Sequence, residues 1–115
     1  MSLKIYHNPR CSKSRQTLQL IEQKGIYPEI VEYLKTPPTA QELKEITQLL
    51  NISPRELLRT KEAEYTAQGL DNMALDDETI IDIMVNHPKL IERPLVVDGK
   101  RAIIGRPPEN VLELI

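Results

Sequence analysis

Phenylalanine and tryptophan are absent from this 115-residue chain, and four tyrosines are its only large aromatic residues. Leu, Ile and Val must therefore build the interior, and a 40% hydrophobic content allows one domain over residues 1–115. Cysteine occurs once, at position 11, which excludes an internal disulfide and a cysteine-based zinc site. With only two histidines, His7 and His87, no metal site is readable. No apolar run approaches the ~20 residues needed to cross a bilayer. The start Met1-Ser2-Leu3-Lys4-Ile5 lacks the long apolar stretch of a secretory leader, so a cytoplasmic, reducing location is expected. A net charge of −2 gives no global basic field for nucleic acid.

The charge is unevenly placed. Lys4, Arg10, Lys13 and Arg15 precede the first acidic residue, Glu22. A second acid-free stretch between Asp98 and Glu109 holds Lys100, Arg101 and Arg106. If these two basic segments meet in space, they form a local anion site in an acidic protein.

The element order follows from pattern and punctuation. Leu3 to His7 alternates as a strand, and Asn8-Pro9 signals a turn. From Cys11, the residues Ser14, Thr17, Leu18 and Ile21 share a helical face, and Gly25 closes the helix. Ile30 to Leu34 reads as a second strand, giving a β-α-β unit with a right-handed crossover.

A helical block follows. Thr39 with Glu42 and Ser53 with Glu56 are capping boxes; the second helix starts at Pro54 and ends near Arg59. Gly69 breaks a short helix. Asp76 caps another that carries Ile80, Ile81, Met84 and Val85 and stops near His87-Pro88. Leu95-Val96-Val97 and Arg101 to Ile104 are strands joined by a two-residue turn at Asp98-Gly99. A last helix, Glu109 to Ile115, turns Val111, Leu112 and Ile115 inward. The order β-α-β, helices, β-β-α is that of an α/β thioredoxin-like fold. It implies a four-stranded mixed sheet with a helical insertion between the halves, and puts Cys11 past the C-terminal end of the first strand.

A lone cysteine is more often a small buried hydrophobe than a catalyst. The neighbours Arg10, Ser12, Lys13, Ser14 and Arg15 are polar or basic, which an inert core site would not be. A thiol at a helix N-terminus meets unpaired N–H groups and the positive end of the dipole, which favour thiolate. Cys11-Ser12-Lys13-Ser14 is a Cys-x-x-Ser arrangement, so any resolving thiol must come from outside the chain. The residue six beyond Cys11 is Thr17 rather than Arg, which removes the spacing of a cysteine phosphatase loop. Arg93 and Arg106 each precede a proline beside an apolar strand, where the side chain can be aimed at an oxyanion. Arg59 could equally complement a helix C-terminus. Ser14 could hydrogen-bond the thiolate or serve only helix polarity. His7 could tune the thiol or bond to backbone. Pro94 reads as structural, and His87 likewise.

The run Tyr6-His7-Asn8-Pro9-Arg10-Cys11-Ser12-Lys13-Ser14-Arg15 resembles the signature of the glutaredoxin-linked arsenate reductase family, most closely its short YfgD-like branch. Tyr33 to Pro38, Glu56 to Arg59, His87-Pro88, Glu92 to Val97 and Gly105-Arg106-Pro107 match further segments, in order, along essentially the whole chain. The resemblance implies an oxidoreductase with Cys11 as nucleophile and Arg59, Arg93 and Arg106 as an oxyanion triad. His7 and Ser14 match supporting positions, and a cis peptide at Pro94 is suggested. It implies no bound cofactor, arsenate as substrate, glutathione as co-substrate and glutaredoxin as partner; the chain itself is expected to be a monomer. Some members carry Cys before the third arginine, where this chain has Gly105. The competing readings are a thiol oxidoreductase acting on another substrate and a Spx-like regulator. Spx-like proteins typically use a Cys-x-x-Cys switch, which a single cysteine cannot form.

Overall fold

The computed structural model describes residues 3–115; Met1 and Ser2, part of the segment expected to lack a leader, lie outside them. Two compact units divide the chain: residues up to Thr36 together with Arg93–Ile115, and Pro37–Glu92.

The first unit is built on a four-stranded sheet of β1 (Lys4–His7), β2 (Glu29–Glu32), β3 (Leu95–Val97) and β4 (Ala102–Ile104), in the order β2-β1-β3-β4. β1 and β2 are parallel, whereas β3 is antiparallel to both β1 and β4. The period of two sends Ile5 to the face covered by α1 (Ser12–Gln23). There Leu3, Ile5, Ile21, Val96, Val111 and Leu114 form the core cluster. Each fully buried aliphatic side chain contributes about 1.5–3 kcal/mol. α1 stops where Gly25 takes φ +77. Gly25 N donates to Glu22 O at 2.9 Å and Ile26 N to Ile21 O at 3.4 Å, a Schellman closure. This is the mixed thioredoxin-like sheet expected from the sequence, with its halves separated by the helical segment.

The second unit holds α2 (Ala40–Leu50), α3 (Ala63–Ala67) and α4 (Asp77–Asn86). The Thr39–Glu42 capping box opens α2, and Asp76 Oδ1 accepts Thr79 N at 2.8 Å to cap α4. Leu43, Ile46, Leu57, Leu70, Ile80, Met84 and Leu90 are buried in this unit.

Several boundaries differ from the sequence reading. β2 ends at Glu32, because Lys35 N and Thr36 N both donate to Glu32 O at 2.9 Å and turn the chain. The Ser53–Glu56 box opens only a 3-10 turn, Pro54–Leu57. Leu58, the C-cap of that turn, pairs with Ile91 in an antiparallel bridge, and Arg59 follows it with its N–H donating to Leu90 O at 2.7 Å. The β3–β4 turn centres one residue later, on Gly99-Lys100. Asp98 Oδ1 collects Lys100 N at 2.9 Å and Arg101 N at 2.7 Å, and Gly99 takes φ +95. The last helix is a 3-10 segment, Pro108–Glu113. Its period of three buries Val111 and Leu114 and leaves Leu112 44% exposed.

Candidate functional site

Cys11 is the N-cap of α1, at φ −95 and ψ 122. Its backbone is fixed on both sides: Cys11 N donates to Asn8 O, and Arg15 N to Cys11 O, each at 3.0 Å. The side chain makes no cap hydrogen bond of ordinary geometry. Partial burial pushes the thiol up. The Ser14 backbone N–H, the Arg93 side chain by hydrogen bond and by charge, and the Lys13 backbone N–H outweigh that, and the thiol is held below its ordinary value. The first-turn amides of Lys13 and Ser14 thus favour the thiolate, as the N-terminus of a helix favours negative charge.

Arg93 stands two residues before β3, and its peptide bond to Pro94 is cis, as the resemblance suggests; Arg106-Pro107 is cis as well. Burial alone would weaken the guanidinium's hold on its proton. The Tyr33 hydroxyl and the Cys11 sulfur outweigh burial, so Arg93 holds its proton more tightly than an ordinary arginine. Its Nη1 lies 3.5 Å from Tyr33 Oη, and its buried Nε has no hydrogen-bond partner. Arg106 Nη1 donates to the Arg93 carbonyl at 3.2 Å. Asn110 Nδ2 reaches the carbonyls of Ile104 and Arg106 at 3.2 and 3.3 Å, which fixes the loop that carries Arg106.

His7 and Ser14 meet beneath the thiol loop. His7 Nδ1 lies 2.6 Å from Ser14 Oγ, which also accepts Asn8 N at 3.1 Å. All three residues are buried. Burial is the main cause that lowers the His7 pKa; Glu32 and Glu22 oppose it and Arg15 adds to it. The Ser14 hydroxyl is therefore committed to His7 and Asn8, while its backbone N–H serves the thiolate.

Cys11, Arg93, Arg106, His7 and Ser14 all belong to the first unit. Arg59 belongs to the second, where its Nε lies 3.6 Å from Glu62 Oε1 and its Nη1 3.8 Å from Glu92 Oε1. Sequence reasoning missed Tyr33 as a contact of Arg93, since nothing in a strand pattern marks a hydroxyl 60 residues away. It also missed the approach of Gly105 to α1. A Cβ there would lie 2.6 Å from Thr17 Oγ1 and 2.7 Å from Pro94 Cγ. Among the described residues, no three His, Cys, Asp or Glu side chains are placed to hold a metal ion, and no helix is long and apolar enough to cross a membrane.

The ArsC family model matches residues 6–114. The Escherichia coli protein YfgD is 51% identical over 98% of this chain and 96% of its own length. An arsenate reductase of Haemophilus influenzae is 47% identical, with all of both chains covered. The solved arsenate reductase of Vibrio cholerae superposes with a TM-score of 0.96 at 48% identity, over 100% of this chain and 98% of that one. The Cys11 loop, the thiol and all of the sheet but its first two residues fall within residues 6–114, and the chain belongs to the ArsC family.

Proposed function

We propose that this chain reduces arsenate to arsenite. The Cys11 thiolate acts as nucleophile, Arg59, Arg93 and Arg106 bind the oxyanion, and glutathione with glutaredoxin supplies the electrons. The observation that carries this reading is the Cys11 thiol at the N-cap of α1 together with Arg93, whose buried Nε has no hydrogen-bond partner and whose guanidinium helps hold the thiol below its ordinary value. A thiolate is the attacking form of cysteine, and a guanidinium gives oxyanions planar, charge-assisted hydrogen bonds. The partnerless Nε of Arg93 is a donor that an arsenate oxygen would satisfy. Relatives named as arsenate reductases support the choice of anion.

In this mechanism Cys11 Sγ attacks As(V). An S–As bond forms, an As–O bond breaks, and the oxygen leaves as water. Two external thiols then act, because the chain has no second cysteine. As glutathione and glutaredoxin join in a mixed disulfide, two electrons pass to arsenic. As(V) becomes As(III), the S–As bond breaks, arsenite leaves, and Cys11 returns as the thiol, the two thiol protons going to its sulfur and to an arsenite oxygen. One arsenate and two thiols give one arsenite, one disulfide and one water. His7 and Ser14 hold the loop that aims the sulfur.

The test is NADPH oxidation coupled through glutathione reductase, glutathione and glutaredoxin. Arsenate-dependent turnover is expected from the wild type and none from Cys11→Ser. Turnover that ignores arsenate over a wide concentration range would remove the arsenate assignment.

A further inference from the structure

The proposed reaction has two kinds of substrate, and the arginines account only for the oxyanion. A second feature lies on the other flank of the Cys11 loop. β1 pairs with β3, which follows Arg93, on one side and with β2 on the other. In the parallel register His7 is opposite Glu32, so their side chains share a face. Where both strands end, a cleft of about 230 Å³ opens between the loop after β1 and the turn after β2. Arg10 and Lys35 line it, with His7, Glu32 and Leu34.

The polar groups of this cleft are available to a ligand. Arg10 is anchored through its backbone, whose N–H donates to Asn8 Oδ1 at 3.0 Å. Its exposed guanidinium has no hydrogen bond or ion pair among the described residues. His7 Nδ1 is engaged by Ser14, and the other ring nitrogen has no protein partner among the described residues. Lys35 and Glu32 form a loose pair at 3.7 Å with their side chains 80% and 44% exposed, an arrangement that a ligand can exchange at little cost. Two cations, one carboxylate and a half-exposed Leu34 do not suit a small inorganic oxyanion, which Glu32 would repel. They suit a zwitterionic peptide. The cleft is smaller than the ~300–1,000 Å³ of sites that enclose a whole drug-sized ligand, so it holds one end of such a peptide and leaves the remainder outside. Arg10 adjoins Cys11 in the chain, which brings that remainder beside the nucleophile.

We infer that this cleft seats one end of the thiol co-substrate, a peptide of the glutathione class, with a carboxylate on Arg10 and Lys35 and an ammonium on Glu32. The assignment rests on the reductase reading for its purpose and on the cleft for its chemistry.

S-methylglutathione, which cannot react, is the probe. Titrated into the ¹⁵N-labelled protein, it should shift amide resonances of residues 7–10 and 32–35 above all others, and added salt should weaken it. Arg10→Glu and Lys35→Glu, both surface changes, should each weaken binding about tenfold. In the coupled assay each should raise the KM for glutathione by a similar factor and leave the KM for arsenate in place. Shifts centred elsewhere, or a glutathione KM unmoved in both variants, would overturn the inference. If the wild type turns over no arsenate, the reductase reading fails, and the titration alone decides the cleft: shifts at these residues uphold it and their absence ends it.

Discussion

His7 Nδ1 and Ser14 Oγ stand 2.6 Å apart, and they tie the end of β1 to the first turn of α1. The same oxygen accepts Asn8 N at 3.1 Å, so one buried hydroxyl fixes both sides of the loop that carries Cys11. Ser14→Ala would leave a buried N–H and a buried ring nitrogen without a partner. Such a loss costs roughly 1–3 kcal/mol. Urea denaturation should show the midpoint falling accordingly, and turnover should fall with it. A variant as stable as the wild type would show that the pair does not hold the loop.

The lowered His7 pKa sets a direction for stability against pH. Between its folded value and the ~6.5 of an unfolded histidine, the unfolded chain binds more protons. Stability therefore rises with pH through that window. The contribution is full above ~6.5 and is lost as pH falls through the folded value. His7→Gln should flatten this part of the stability profile. An unchanged slope would place the titration elsewhere.

Arg93→Ala removes a guanidinium that helps hold the Cys11 thiol below its ordinary value. The pH profile of Cys11 alkylation should move to higher pH, with a smaller move in Arg93→Lys. Hydrogen bonds to charged groups contribute about 1.5–3 kcal/mol, so the KM for arsenate should rise roughly tenfold or more in the alanine variant. Tyr33→Phe should act in the same direction but less, since its contact with Arg93 is a long one.

Gly105→Ala places a Cβ against Thr17 Oγ1 and Pro94 Cγ, neither of which is the far end of a flexible chain. Overpacking of this kind costs about 1–3 kcal/mol. Thr17→Ala in the same background should recover part of that cost. A double-mutant cycle with no coupling would show that the two residues do not press on one another.

How far the site could be read from the chain depended on the range of the interactions. The Cys11 loop was legible because local rules build it: an alternating strand, an Asn-Pro turn and a helix start. The Thr39–Glu42 and Asp76 caps were legible for the same reason. The Ser53 box forms but opens only one turn, because pairing of Leu58 with Ile91, 33 residues on, overrides local helix propensity. The Asp98 turn shifted by one residue because a side-chain oxygen took over two backbone donors. The final helix tightened to three residues per turn, which exchanged Leu112 for Leu114 in the core. Tyr33 and Gly105 act through contacts distant in sequence, and no local pattern marks them.

Arsenite formed by the purified chain with arsenate, glutathione and glutaredoxin tests the role of Cys11 most directly. The wild type should yield one arsenite for each disulfide produced, and Cys11→Ser should yield none. Arsenite production that survives in Cys11→Ser, or a wild type that yields none while its thiol is fully reduced, would contradict the mechanism.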